Sequence, residues 1–224
     1  NGDFWICGGD GLYLYKRSST RWQYSADKDD GRTNVVAEIL SALNGDLWIG
    51  TANGIVRLRN DGSREVVRKI GDQVLGPVTA LAEDRDGNIF AGSGGSFPGA
   101  YKWNGKRWTF MNIESTGIKV YIHKIRKDQS GNLWFLALSP RVSTLGTKGP
   151  GSFLMEDKSI SSWGEKRGLL NGRVYSFAEG KDHARWFGTD GGLSRWRNGN
   201  WKHWTMEDGL RKQQVFTLAL DSNN

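Results

Sequence analysis

The chain has 224 residues, of which 37% are hydrophobic and 25% are charged, and this composition is typical of a globular protein rather than a disordered one. No run of roughly 18 apolar residues occurs, so we expect no membrane insertion, and the single cysteine excludes an internal disulfide. The formal net charge is +7. Because Lys and Arg are interspersed with acidic residues, nucleic acid is not an expected partner.

One unit of sequence recurs along the chain. It is centred on an aromatic residue after a turn, and its copies are spaced by 42 to 52 residues: Trp5, Trp48, Phe90, Trp134 and Trp186. Each copy has an apolar stretch, a turn of the Asn-Gly or Asp-Gly type, a stretch such as LWIGT, and two further alternating stretches. Such turns join antiparallel strands, and this period is typical of ring-forming repeats. The sequence therefore predicts an all-β, five-bladed β-propeller with four antiparallel strands per blade, as a single domain over residues 1–224.

The predicted blades follow the chain, except that the first is assembled from both ends. Residues 1–25 supply strands two to four of blade 1, and residues 215–224 supply its first strand. The other predicted blades are residues 35–68, 77–111, 120–163 and 173–205. A ring closed in this way exposes no sheet edge. The alternative is a segment of a longer propeller that begins and ends within a blade.

The repeat resembles the two-component regulator propeller repeat. The stretches EILSALNGDLWIGTANGIVRL and VYSFAEGKDHARWFGTDGGLSRW carry the resemblance best. Two units depart from the pattern, since residues 135–138 lack the Gly-Thr pair and His183-Ala184 replaces Gly-Asn. The resemblance implies a periplasmic or extracellular recognition or sensor domain and does not imply which ligand it binds.

Two enlarged loops are the predicted ligand site. They replace the short second-to-third-strand turn at residues 92–101 and 138–153, in neighbouring blades, and we expect them on the same face. Aromatic side chains there offer stacking surfaces, and basic ones attract anions. The candidate ligand-binding residues are Phe97, Tyr101, Arg141, Lys148, Lys166 and Arg167. We predict a non-catalytic domain that binds a small molecule, glycan or peptide, preferably an anionic one. Drift in loop length is the alternative.

A second set of residues is predicted to line a central channel. The third position of each first strand is polar or small in otherwise apolar strands, and burial of polar groups without partners is costly. These residues are Glu38, Ala80, Lys124, Ser176 and Thr217. The repeated tryptophans on second strands are predicted to be core. The outer-strand residues are predicted to be partly exposed and could form a lectin-like sugar platform: Trp22, Trp108, Trp163, Trp201, His203 and Trp204.

No sequence motif for catalysis stands out. Nucleophile motifs, phosphate-binding loops and paired acids are missing, and the three histidines fall on different strands and turns. We therefore expect no catalytic residues, no cofactor and no metal, with Asp84 bonding within its own turn rather than binding calcium. The isolated domain is expected to be a monomer. The alternatives are a protein-protein interaction scaffold that uses the outer aromatic strands, and a propeller lyase or hydrolase.

Overall fold

The fold is all-β. The computed structural model describes residues 4–7, 10–19, 21–25, 31, 35–115, 118–138 and 151–221. The strands, in chain order, are β1 (Phe4–Cys7), β2 (Leu12–Lys16), β3 (Arg21–Ser25), β4 (Val36–Ser41), β5 (Leu47–Thr51), β6 (Gly54–Leu58), β7 (Arg64–Val67), β8 (Lys69–Ile70), β9 (Gln73–Val74), β10 (Ala80–Glu83), β11 (Ile89–Gly92), β12 (Ala100–Trp103), β13 (Trp108–Met111), β14 (Glu114–Ser115), β15 (Ile118–Lys119), β16 (Tyr121–Lys127), β17 (Leu133–Leu138), β18 (Ser152–Glu156), β19 (Ser159–Trp163), β20 (Val174–Glu179), β21 (Arg185–Thr189), β22 (Gly192–Arg197) and β23 (Asn200–Trp204). Short 3₁₀ turns lie at Glu165–Arg167 and Met206–Asp208. No helix among the described residues has the length and apolar character needed to cross a membrane.

Consecutive strands form antiparallel sheets. Sheet 1 is β1–β3, sheet 2 is β4–β7, sheet 3 is β10–β13, sheet 4 is β16–β19 and sheet 5 is β20–β23. The pairs β8–β9 and β14–β15 are short hairpins between sheets. Sheets 2 to 5 each have four strands in chain order, which confirms the predicted antiparallel four-stranded units.

The predicted turns between first and second strands share one geometry. In sheet 2 the Ala42 N–H bonds to Asp46 O at 2.9 Å and the Gly45 N–H bonds to Ala42 O at 3.0 Å. Gly45 has a φ of 86°, which a glycine adopts without strain. In sheet 3, Asp84 Oδ1 accepts the backbone N–H of Asp86 and of Asn88, both at 2.9 Å. The carboxylate therefore bonds within its own turn, as predicted.

The repeated Gly-Thr pair holds the start of the next first strand. The Val78 N–H donates to Thr51 O at 2.9 Å, and a Cβ on Gly50 would lie 2.4 Å from Val78 O. Only glycine therefore permits this approach of the two backbones. The same contact recurs later in the chain, where the Val215 N–H donates to Thr189 O at 3.0 Å against Gly188. Val215 thus occupies the place that Val78 has before β10.

The chain divides into two compact units, residues 1–111 and 112–224. Unit 1 contains sheets 1 to 3, and unit 2 contains sheets 4 and 5 and residues 214–221. Residues 214–221 form no strand, and sheet 1 has three strands among the described residues. The five-blade count and the closure of the ring by 215–220 therefore stay predictions.

Each unit has an aromatic core. Trp48 lies in the core of sheets 2 and 3, and Trp134 in the core of sheets 4 and 5, which confirms the prediction for these two positions. The prediction is wrong for Trp5, which is 39% exposed because β1 is the edge strand of its sheet. It is also wrong for Trp186, which is half-buried and stacks on Trp204 at 5.3 Å. Of the outer-strand tryptophans, Trp163 is buried rather than partly exposed.

Candidate functional site

One end of the sheets carries most of the irregular structure of unit 2. The alternation of strand direction brings together the starts of β16 and β20, the ends of β17 and β21, and the link 164–173 that joins the two sheets. β17 ends and β18 begins at this same end. We call this end of the sheets the loop face.

Both first strands of unit 2 are bulged at the loop face. The pairing register shifts between Val174 and Ser176 in β20 and between Ile122 and Lys124 in β16, as it does at Ala37 in β4. A bulge changes the direction of the extra side chain. In unit 2 the bulged residues are His123 and Tyr175, whose rings lie 6.4 Å apart.

An aromatic row results from these bulges. Phe216 has the equivalent position in the C-terminal segment, and its ring lies 4.8 Å from that of Tyr175. Phe216 is 62% exposed, whereas His123 and Tyr175 are half-buried. The aromatic row (His123, Tyr175 and Phe216) therefore presents partly open ring surface on the loop face, as ligand-stacking sites do.

Hydrogen bonds fix the centre of the aromatic row. Tyr175 Oη donates to Asp190 Oδ1 at 2.8 Å, and the Asp190 N–H donates to Arg173 O at 3.1 Å. The Arg173 guanidinium lies 5.9 Å from the Tyr175 ring centroid. Burial, and then the bond to Asp190, raise the pKa of Tyr175, so its hydroxyl stays protonated at neutral pH.

His123 is neutral and lies among cations. Its Nε2 lies 2.7 Å from Val174 O, and because a carbonyl oxygen only accepts, the ring proton is on Nε2. Burial lowers the pKa of His123 to about 4, and Lys124, Arg126 and Arg173 contribute in the same direction. Positive potential in this sector favours an anionic ligand.

The position of His123 compensates for a departure from the repeat. Leu136 stands where sheets 2, 3 and 5 have Gly50, Gly92 and Gly188, opposite Lys124 in the pairing. Val174 O corresponds to Val78 O and Val215 O, which pack on Gly50 and Gly188. In sheet 4 the corresponding carbonyl instead receives a hydrogen bond from His123. The replacement of the glycine by Leu136 and the hydrogen bond from His123 therefore occur at the same contact between sheets 4 and 5.

The four predicted ligand-binding residues that the structure describes lie in both units. Phe97 and Tyr101 pack edge-on at 5.3 Å in the core of unit 1, where they are 1% and 7% exposed, so their ring faces are covered by protein. Lys166 and Arg167 are exposed in the link of unit 2, and Arg167 lies 4.3 Å above the Trp163 ring. Arg141 and Lys148 lie outside the described residues.

Three of the five predicted channel residues share one structural feature. Glu38, Ala80 and Ser176 each pair with the glycine of the Gly-Thr or Gly-Ser pair, whereas Lys124 pairs with Leu136. Ala80 and Ser176 are buried, Glu38 and Lys124 are half-buried, and Thr217 is exposed. Their position around a channel stays a prediction.

Sequence reasoning chose the third position of each first strand and missed the second, where the aromatic row lies. A signal for it is present in the sequence. The second position is aromatic or histidine in His123, Tyr175 and Phe216, but small in Ala37 and Thr79. Strict alternation hid this signal, because a bulge changes which residues share a face.

The sequence matches no family model and no curated protein. The structure is similar to the extracellular domain of a putative hybrid two component system from B. thetaiotaomicron, with a TM-score of 0.67 and 18% identity over 96% of this chain and 28% of that chain. It is also similar to virginiamycin B lyase from Staphylococcus aureus, solved as a catalytically inactive variant with quinupristin (TM-score 0.65, 13% identity, 92% of this chain and 67% of that chain). A third similar structure is YCF48 bound to D1 peptide (TM-score 0.63, 15% identity, 97% and 68%).

The chain spans less than a third of the first of these proteins. At identities below 20% the similarity concerns the fold. The first neighbour is an extracellular domain of a two-component system, the class of protein that the repeat motif resembles. The chain therefore has an all-β, propeller-like fold similar to that of this extracellular domain.

Proposed function

We propose that this chain is a non-catalytic recognition domain of the sensor type, which binds its ligand at the loop face of unit 2. The observation that carries the proposal is the aromatic row, which is partly open and has the cations Lys124, Arg126 and Arg173 near His123. Stacking rings and cationic side chains suit a small molecule, glycan or peptide that bears a carboxylate or phosphate. Arg141 and Lys148, which lie outside the described residues, remain part of the proposal.

We propose further that the domain is a closed five-bladed ring with residues 215–220 as the first strand of blade 1. The support is the contact of Val215 with Thr189 and Gly188, which repeats that of Val78 with Thr51 and Gly50. Sheet 1 has the three strands that such a first strand would complete. A periplasmic or extracellular location is proposed from the extracellular domain to which the fold is similar.

Paired ligands test the proposed site. A panel of glycans and peptides, each in a carboxylate form and a neutral form, is titrated by calorimetry at low and physiological salt. We expect the anionic forms to bind more tightly and to weaken with salt, since exposed charges are screened beyond about 8 Å at physiological ionic strength. Equal affinity for both forms at all salt concentrations would contradict an anionic ligand.

Two variants locate the site in the same titration. Phe216→Ala removes the most exposed ring of the aromatic row and is expected to weaken binding about tenfold, since an aromatic contact contributes roughly 1 kcal/mol or more. The matched control is Phe110→Ala, which removes a ring of similar exposure from β13 in unit 1. If both variants bind like the parent, the site lies elsewhere.

A propeller lyase is the second candidate function. The similarity to virginiamycin B lyase and the neutral His123 beside Tyr175 support it. An imidazole that is neutral at pH 7 can accept a proton from a substrate, and the pKa of about 4 makes His123 a weak base in that role. Product formation from a bound ligand that His123→Gln abolishes, with binding intact, would favour this candidate over a recognition domain.

A further inference from the structure

A cavity of about 160 Å³ lies in unit 1 between sheets 2 and 3. The cavity lies at the end of the sheets where turns join the first and second strands. The Gly50-Thr51 pair lies at the opposite end of β5. Its walls are mainly apolar and include Leu43, Trp48, Ile89 and Trp103. Leu43 is 78% exposed, so the cavity has a mouth at the surface. Its size is comparable to that of an engineered cavity of roughly 150 Å³ that binds benzene.

One wall of the cavity carries a polar group that the protein leaves without a partner. Trp48 is 2% exposed, and its Nε1–H has no acceptor. In sheet 4 the equivalent Trp134 donates its Nε1–H to Asp128 Oδ2 at 3.1 Å. The residue of sheet 2 that corresponds to Asp128 is Ala42. The side chain that satisfies the indole in one sheet is therefore missing in the other, although buried donors are normally paired.

The other polar groups of the cavity wall are largely engaged. Arg57 forms an ion pair with Asp46 at 2.5 Å and lies 4.8 Å from the Trp48 ring centroid. Glu83 accepts the Leu43 N–H at 2.8 Å through Oε2, which leaves its other carboxylate oxygen as an acceptor on the wall. The cavity thus offers aromatic and aliphatic walls and one acceptor, and the unused Trp48 donor is covered beside it.

We propose that this cavity binds a small monocyclic aromatic compound with a single hydroxyl group, of the phenol class. The ring packs among Trp48, Trp103 and Ile89, and the hydroxyl donates to the Glu83 carboxylate. Trp48 Nε1 is itself covered, so the indole turns toward the cavity to donate to the hydroxyl oxygen. A sugar of the same size fits less well, because its several hydroxyls would find too few partners. This site is independent of the loop face.

Phenol, toluene and glucose are the probes, titrated into the whole chain while indole N–H resonances are followed by NMR. We expect phenol to bind with 1:1 stoichiometry and to shift the Nε1–H resonance of Trp48, but not that of Trp134. Toluene lacks the hydroxyl and is expected to bind about tenfold more weakly. Absence of phenol binding, or glucose binding at least as tight as phenol, would overturn the proposal.

Variants separate the cavity from other sites. Ala42→Asn supplies an uncharged acceptor for Trp48 and is expected to weaken phenol binding more than tenfold. Glu83→Gln keeps an acceptor for the Leu43 N–H and should weaken phenol severalfold while leaving toluene unchanged. Glu179→Gln is the matched control, because Glu179 makes the same backbone bond to Gln129 in sheets 4 and 5. Circular dichroism checks folding, and unchanged phenol affinity in either Ala42→Asn or Glu83→Gln would place phenol elsewhere.

Discussion

Two junctions between sheets can be compared, that of sheets 2 and 3 and that of sheets 4 and 5. They share the same backbone contacts, but different side chains occupy the space between the sheets. In both, a glutamate of the second sheet accepts a backbone N–H from the turn of the first, as Glu83 does from Leu43 and Glu179 from Gln129. In sheets 4 and 5, Arg185 lies 5.1 Å from both the Trp134 and the Trp196 ring centroids. Its counterpart in sheet 3 is Ile89, beside the cavity.

This difference separates the residues that build the repeat from those that vary within it. The turn bonds and the contacts of the Gly-Thr pair with the next first strand depend on backbone atoms, so they persist when side chains change. Whether the space between two sheets is filled depends on the volume and charge of the side chains there. Asp128 and Arg185 fill it in unit 2, whereas Ala42 and Ile89 leave it open in unit 1. New binding properties can therefore arise without loss of the fold.

The largest expected effect concerns the buried tryptophan that each junction has in its core. Trp48→Ala and Trp134→Ala should each lower the free energy of unfolding by about 3–5 kcal/mol, because each removes a buried aromatic ring. Trp204→Ala should cost less, since Trp204 is half-buried. Urea unfolding measures all three. An equal loss of unfolding free energy in all three variants would contradict the distinction between core and outer-strand tryptophans.

The next effect is confined to unit 2 and depends on pH. Below pH 6.5 the unfolded chain protonates His123, whereas the folded chain does not until about pH 4. Stability is therefore lost as the pH falls through this window, by up to about 3 kcal/mol. His123→Gln keeps a donor for Val174 O but does not titrate, so its stability should fall less. Urea unfolding between pH 7 and 4 compares the two, and parallel curves would contradict this assignment.

A pair of substitutions isolates the indole hydrogen bond. Trp134→Phe removes a bonded N–H and leaves the Asp128 carboxylate with one donor fewer, whereas Trp48→Phe removes an N–H without an acceptor. Both lose similar ring volume. We expect Trp134→Phe to cost about 1–2 kcal/mol more in unfolding free energy. An equal loss of unfolding free energy in the two variants would contradict the difference in indole hydrogen bonding between the two junctions.

The smallest effect concerns the turn of sheet 5. His183 has a φ of 58°, at a position where sheets 2, 3 and 4 have Gly45, Gly87 and Gly131. A left-handed conformation is unfavourable for a residue with a Cβ. His183→Gly should therefore raise the unfolding free energy by roughly 0.5–1 kcal/mol. Gly131→His is the converse control, and thermal unfolding should show shifts of opposite sign.

Much of the framework follows from local sequence. Asn44-Gly45 and Asp86-Gly87 predict hairpin turns because few residues adopt positive φ, and the repeat of LWIGT predicts the sheets. The aromatic row did not follow, because a bulge at residues 123 and 175 changes side-chain direction without a signal in the alternation. The cavity did not follow either. Ala42 shows its effect only beside the Trp48 indole, and such a contact between sheets is not local.

Contacts that are distant in the sequence also explain why the aromatic residues at one enlarged loop are buried rather than exposed. Phe97 and Tyr101 lie in and beside a glycine-rich loop, which suggested exposed stacking surfaces, but both rings fill the core of unit 1. Ser93 holds the loop in place, since its hydroxyl donates to Pro77 O at 2.6 Å and accepts the Ser96 N–H at 2.9 Å. Long loops in a propeller-like fold can therefore supply core as well as binding surface.

The measurement that tests the central proposal most directly is chemical-shift mapping of the tightest ligand from the paired panel. The proposal predicts that the largest shifts fall on His123, Tyr175 and Phe216 in unit 2, with small shifts in sheets 2 and 3. Largest shifts on the outer aromatic strands, or in unit 1, would contradict a recognition site at the aromatic row.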